Sequence, residues 1–153
     1  MNRPSPIDER GFAPYGSVFP ARPGSRDAAV AAWTELAAAR YGSPLESRRL
    51  SLSAAGPVAG VEVHPNSPQL TVSFDSEWII RLLPAGLGPA DLPGARFVSF
   101  TVPAGMCVIL DAGLWHTPIL AGAATEVLVI FREGTSEHGT DWIERPEPLR
   151  FED

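Results

Sequence analysis

The chain has 153 residues, 44% of them apolar, and a formal net charge of −6, with a pI near 5.0. That length closes one ordinary core, and the acidic balance argues against a charge-driven grip on nucleic acid or an anionic membrane. All 12 basic residues are arginine, which excludes lysine Schiff bases, a pyridoxal-phosphate anchor and a lysine-bearing phosphate loop.

No apolar run approaches the ~20 residues that a membrane-spanning helix needs. The polar, proline-bearing start lacks a hydrophobic stretch of signal-peptide length, so a cytoplasmic location is expected. In chain order, the first predicted element is a helix over about 27–41. Ser25 offers the N-cap, Val30, Trp33, Leu36, Ala37 and Tyr41 recur at helical spacing, and Gly42 and Pro44 stop it. Its single apolar stripe suits a helix packed outside a sheet.

Beyond Gly42 the period shortens to that of strands. Candidates are 49–54, 58–64, 69–74, 77–83, 96–102, 106–110, 115–120 and 125–132, broken by Pro-, Gly- and Asp-bearing turns. Eight short strands without alternating helices indicate a mainly β sandwich or barrel rather than a parallel α/β sheet. The expected organisation is one domain over 1–153: an N-terminal arm and helix to about 45, a barrel over about 46–134, and a charged, proline-bearing tail wrapping the surface over about 135–153. The lone cysteine, Cys107, cannot form an internal disulfide and sits in an apolar run as a small hydrophobe.

Two of the three histidines stand in informative places. Glu62 and His64 are two apart on a predicted strand, so their side chains share a face. If the turn at 65–68 reverses the chain, Gln69 opens the partner strand beside them. His116 follows the turn Asp111-Ala112-Gly113, in Leu114-Trp115-His116-Thr117-Pro118. Taken singly, each histidine reads as a hydrogen-bonded core or rim residue. His138, in Ser136-Glu137-His138-Gly139, reads as an exposed loop histidine. Arg48-Arg49 is too short for a binding patch, and Trp142 reads as a clamp for the tail.

This spacing resembles the two motifs of the cupin superfamily. Gly56, five residues, Glu62-Val63-His64, four residues and Gln69 follow the first. Gly105, five residues, Asp111-Ala112-Gly113, two residues and His116 follow the second. Glu62 stands where the family has a histidine, Gln69 where it has glutamate, and Asp111 where it has proline. The resemblance implies a cupin-type antiparallel β-barrel or jelly roll in which these positions converge. It also implies a divalent metal (nickel, zinc, manganese or iron) on Glu62, His64, Gln69 and His116.

Glu-x-His-Pro with Gln69, and Trp115-His116 before Pro118, look like the ureidoglycolate lyase family within that superfamily. Phe12-Ala13-Pro14-Tyr15-Gly16 and Leu128-Val129-Ile130 leading into Arg132 agree in order. That resemblance implies cleavage of ureidoglycolate to glyoxylate and urea in allantoin degradation, a small carboxylate substrate and a homodimer, without nucleic-acid or membrane partners. The base is His64 or Glu62 and the acid His116. Gln69 would bind the urea group, Arg132 or Arg81 the carboxylate, and Trp115 would either line the substrate or pack the barrel wall. Val63, Leu110 and Thr117 depart from that family's pattern. They motivate one alternative, a cupin isomerase or oxygenase for another small carboxylate; Glu62 and Gln69 in place of two usual metal-ligand types motivate another, a non-catalytic ligand-binding cupin.

Overall fold

The computed structural model describes residues 4–20, 44–52, 58–84, 86–91, 96–121 and 124–149. The helix expected over 27–41, and with it Trp33, lies outside these residues, as does Gly56. The elements run β1 (Ser5–Pro6), α1 (Glu9–Phe12), β2 (Gly16–Pro20), β3 (Leu45–Leu52), β4 (Val58–Val63), β5 (Gln69–Ser73), β6 (Trp78–Leu82), β7 (Val98–Val102), β8 (Met106–Leu110), β9 (Leu120–Ala121), β10 (Thr125–Arg132), α2 (Thr135–His138) and β11 (Asp141–Leu149). No helix among the described residues is long and apolar enough to cross a membrane.

One sheet has the order β2-β8-β5-β10-β3; a second runs β1-β7-β6-β9; β11 pairs with β4. A single residue, His116, joins the last two groups, bridging antiparallel to Glu62 on one side and Leu82 on the other. Four backbone hydrogen bonds hold this seam: Glu62 N–H to His116 O at 2.8 Å, His116 N–H to Glu62 O at 2.9 Å, Leu83 N–H to Trp115 O at 2.8 Å and Thr117 N–H to Arg81 O at 3.0 Å. The result is the expected mainly antiparallel β fold, a cupin-type jelly roll.

Period-two alternation decides what each strand puts inside. Trp78, Ile80 and Leu82 of β6 pack against Val108 and Leu110 of β8, Val18 of β2 and Phe100 and Val102 of β7, all buried. Burying each such side chain stabilises by roughly 1.5–3 kcal/mol. The opposite face of the five-stranded sheet carries a separate buried cluster of Leu70, Val72, Cys107 and Ile109. Cys107 is thus a core residue, and burial pushes its thiol up to about 11. With Leu70 and Val72 facing outward, the alternate β5 residues Gln69, Thr71 and Ser73 face inward, also buried. The interior is therefore apolar at one side and polar along β5.

Strand boundaries differ from the sequence reading at the ends. Of the strand expected over 115–120, only Leu120–Ala121 forms, together with the bridge at His116. In the tail, 135–138 is helical and Asp141–Leu149 pairs with β4, Trp142 opposite Glu62 and Ile143 opposite Val61. Pro146 and Pro148 argue against a central strand, but an edge strand tolerates them, and the register shifts between Glu144 and Leu149. Trp142 does clamp this segment. A Cβ on Gly60 would lie 2.6 Å from Trp142 Cζ2 and 2.3 Å from Ile143 O, so the missing side chain makes room for β11.

Candidate active site

The turn after β4 and the turn after β8 meet at one backbone atom. His64 O accepts from Gly113 N–H at 3.0 Å and from Ser67 N–H at 3.4 Å. Gly113 has φ +83°, a left-handed conformation that glycine adopts without strain. The carbonyl thus ties the two motif segments together and aims both histidines inward. Glu62, His64 and His116 converge, with one ligand atom from each lying within 4.8 Å of the others. The two imidazole rings are 5.3 Å apart, and the Phe131 ring meets His64 edge-on at 4.8 Å.

Both rings are held from behind. His116 Nδ1 lies 3.0 Å from Leu114 O, and a carbonyl can only accept, so Nδ1 carries a proton. Thr140 Oγ1 donates to Thr135 O at 3.2 Å and lies 3.0 Å from His64 Nδ1. Its one hydrogen is spent on Thr135, so His64 Nδ1–H donates to it. The Nε2 atoms are thereby left facing the site. Among the described residues, His64 Nε2 is buried and has no hydrogen-bond partner. His116 Nε2 faces two oxygens, Gln69 Oε1 at 3.1 Å and Glu62 Oε1 at 3.5 Å. Gln69 is fixed in that pose by Nε2 donating to Thr71 Oγ1 at 3.1 Å.

These charges bias one another. Burial works to raise the Glu62 carboxyl, but hydrogen bonding and charge from His116, with a contribution from His64, outweigh it and hold Glu62 below its ordinary value. His64 is lowered, first by burial and then by the nearby His116, against the opposing pull of Glu62, Gln69 and the Gly139 backbone. The site therefore presents an ionised Glu62 carboxylate, a neutral His64 imidazole with its Nε2 lone pair free, and a His116 Nε2–H that donates to Gln69 Oε1. Two imidazoles, a carboxylate and an amide oxygen form a donor set that suits a divalent transition metal, and the orphaned His64 Nε2 supplies the open valence. The backing of each histidine by an oxygen acceptor is the usual outer support of such a set.

A cavity of about 380 Å³ adjoins this cluster, lined on one side by Glu62, His64 and Gln69 and on the other by Leu50, Leu52, Val129 and Phe131. His116 sits behind Glu62 and Gln69, 1% exposed. The remaining sequence candidates are elsewhere. Arg81 alternates with Leu82, which shares its face with His116, so Arg81 lies on the outer face of β6; it is buried there. Arg132 likewise alternates with Phe131, and its backbone N–H donates to Ser67 Oγ at 2.9 Å. Trp115 packs with Val61, Leu83 and Phe97 on the far side of the wall, the packing role rather than the substrate one. His138 is exposed as expected, at the end of α2.

Three polar lining residues went unremarked as site residues: Arg48, Ser136 and Thr140. For Arg48 a signal existed. Glu46, Arg48, Leu50 and Leu52 are spaced by two, so a strand begun earlier than 49 puts Arg48 in phase with two inward leucines. Ser136 and Thr140 belong to the segment taken for a surface tail, and no local pattern marks them.

No protein-family model matches the chain, and no curated protein matches it. Among solved structures it is similar to oxalate decarboxylase from Bacillus subtilis. An arginine-to-alanine mutant of that enzyme aligns with TM-score 0.51 and 20% identity over 66% of this chain and 24% of that one. The same enzyme at pH 4.6 gives TM-score 0.51 and 18% identity over 66% and 24%. The match thus spans about a quarter of the length of those proteins, and at this identity it shows the cupin fold.

Proposed function

We propose that this cupin-fold chain is an enzyme acting on a small carboxylate, with a divalent metal held by Glu62, His64 and His116. The observation that carries the reading is the convergence of those three side chains on one point with His64 Nε2 unpartnered. A bound divalent ion supplies Lewis acidity toward a substrate oxygen. The chain's own residues do the rest. Leu114 O and Thr140 fix the imidazole tautomers, Gln69 offers Oε1 at the same point, and Leu50, Leu52, Val129 and Phe131 keep the adjoining space apolar. In that setting charge–charge and hydrogen-bond interactions are stronger than in water.

A second reading is ureidoglycolate cleavage by proton transfer. It is favoured by the Glu62–His116 carboxylate–imidazole pair at 3.5 Å beside a His64 held neutral, together with the Glu62, His64, Gln69 and Trp115-His116 resemblance. Here His64 or Glu62 takes the substrate hydroxyl proton, and the electrons of that O–H bond form the carbonyl of glyoxylate. The carbon–nitrogen bond breaks, and His116 delivers a proton from Nε2 to the departing urea nitrogen.

One experiment separates the two. Purified protein is assayed for bound metal by elemental analysis, then incubated with racemic ureidoglycolate while glyoxylate is followed, with and without a chelator. Bound metal with no ureidoglycolate turnover supports a metal enzyme for a different acid. Chelator-resistant turnover supports proton transfer alone. Neither metal uptake nor turnover overturns both.

A further inference from the structure

Among the described residues, the cavity wall contains one permanently charged cation, Arg48, and the fold puts it there by register. On β3, Arg48 lies opposite Val129 and Glu46 opposite Phe131. Val129 and Phe131 face the cavity, and cross-strand partners share a face, so Arg48 faces it too. Val129 in turn opposes Thr71 of β5. Arg48 thus stands two strand spacings, roughly 10 Å, from the polar ladder that carries Gln69. The guanidinium and the Glu62–His64–His116 cluster border the same hollow from different walls.

Its neighbour Arg49 shows what a spoken-for arginine looks like in this strand. Arg49 points the other way and makes a close ion pair with Glu126. Arg48 instead gives Nε–H and one Nη2–H to a single neutral acceptor, Ser136 Oγ, at 3.2 and 2.7 Å. The nearest carboxylate, Glu46, is 3.8 Å away. That carboxylate is itself occupied, accepting from Ser136 N–H at 2.7 Å and Gly134 N–H at 3.2 Å. Among the described residues, then, Arg48, its side chain 47% exposed, is oriented by a hydroxyl and by a long ion pair to Glu46, and its Nη1 hydrogens are uncommitted. A guanidinium fork fixed in direction, with spare donors and apolar neighbours Leu50 and Leu52, is suited to bind a carboxylate through paired hydrogen bonds.

We propose that Arg48 is the specificity-determining residue of this cavity. It binds the substrate carboxylate and so directs the rest of the molecule toward Glu62, His64 and His116. The assignment rests on the reading of the cavity as a small-acid site, and it replaces Arg81 and Arg132, which lie on the outer faces of their strands. The substrate class it selects is an acid carrying its carboxylate at the end remote from the histidines.

The test uses glycolate as the charged probe and glycolamide as its neutral match. Binding of each is measured calorimetrically to the wild-type protein and to Arg48→Gln, Arg48→Lys and His116→Ala, with zinc affinity titrated in parallel. Arg48→Gln is expected to weaken glycolate at least about tenfold, the loss of one charged hydrogen-bonded contact. Glycolamide and zinc affinities should stay within about twofold. Arg48→Lys, a point charge without the fork, should fall between. If Arg48→Gln binds glycolate like wild type while His116→Ala does not, the cavity reading stands and the Arg48 assignment is overturned. A wild-type protein that takes up zinc but ignores glycolate also overturns it. A wild-type protein that binds neither overturns the cavity reading together with the assignment.

Discussion

Replacing Thr140 by valine removes one hydroxyl and changes the shape of the side chain little. In the structure that hydroxyl serves two neighbours, accepting from His64 Nδ1 at 3.0 Å and donating to Thr135 O at 3.2 Å. A typical hydrogen bond contributes about 1 kcal/mol net, and leaving a buried partner unsatisfied costs about 1–3 kcal/mol. The metal-free variant should therefore unfold with a free energy lower by about 1–3 kcal/mol. In a chain of this size each kcal/mol lowers Tm by about 2–4 °C. Urea denaturation in the presence of a chelator measures the first quantity and thermal melting the second. The same hydroxyl fixes the proton on Nδ1 and so keeps Nε2 free, and losing such outer support costs about 10–100-fold in metal affinity. Competition against a chromophoric chelator reads that loss, and Thr140→Ser, which keeps the oxygen, should recover most of it. A valine variant that binds zinc as tightly as wild type would refute the claim that Thr140 positions His64.

The remaining expectations concern pH, the C-terminal strand and the thiol. His64 is held below its ordinary value, so on acidification the unfolded chain takes up its proton first. The stability from neutral His64 is complete above about pH 6.5 and is lost as pH falls toward the folded-state value. Glu62 is also lowered, and its contribution fades only as pH drops below about 4.3. Urea unfolding of the metal-free protein from pH 8 to 4 should show decline beginning near pH 6.5, and His64→Phe should flatten the first part. Gly60→Val should detach β11, since even a Cβ meets Ile143 O at 2.3 Å; faster amide exchange over 141–144 with β5 and β8 unchanged is the signature. Cys107, 2% exposed and with its thiol pushed up to about 11, should resist a disulfide reagent at pH 8 in the native protein and react promptly in urea.

What the sequence made legible follows physical rules. Strands of 106–110 and 125–132 were read to the residue because β-branched and apolar residues fill them and turn residues bracket them. Glu62 with His64, and Gln69 beyond a short turn, needed only the two-residue pleat and one reversal, and the structure brings them together with His116. The failures also have causes. Ser5–Pro6 and Gly16–Pro20 are too short and proline-flanked for any period to register. Asp141–Leu149 has charge and proline where a strand usually has apolar residues, because it is an edge strand whose Trp142 and Ile143 seat against Gly60 from elsewhere in the chain. Arg81, a candidate for the carboxylate, is buried on the outer face of β6, and only the pairing of Leu82 with His116 reveals the side. Arg48 reads only as half of a short basic pair because the expected strand begins at 49, whereas β3 begins at Leu45.

The seam at His116 separates two duties that usually compete at a single position. Its amide and carbonyl bond to Glu62 of β4 while the Trp115 carbonyl and Thr117 amide on either side bond to Leu83 and Arg81, and such backbone groups are common to every residue type except proline. The imidazole contributes nothing to that stitching. A lineage can therefore exchange the reactive group at this point for an amide, a hydroxyl or a plain methyl and keep an intact container. The same architecture is free to host new chemistry, or none, without having to reinvent its own closure.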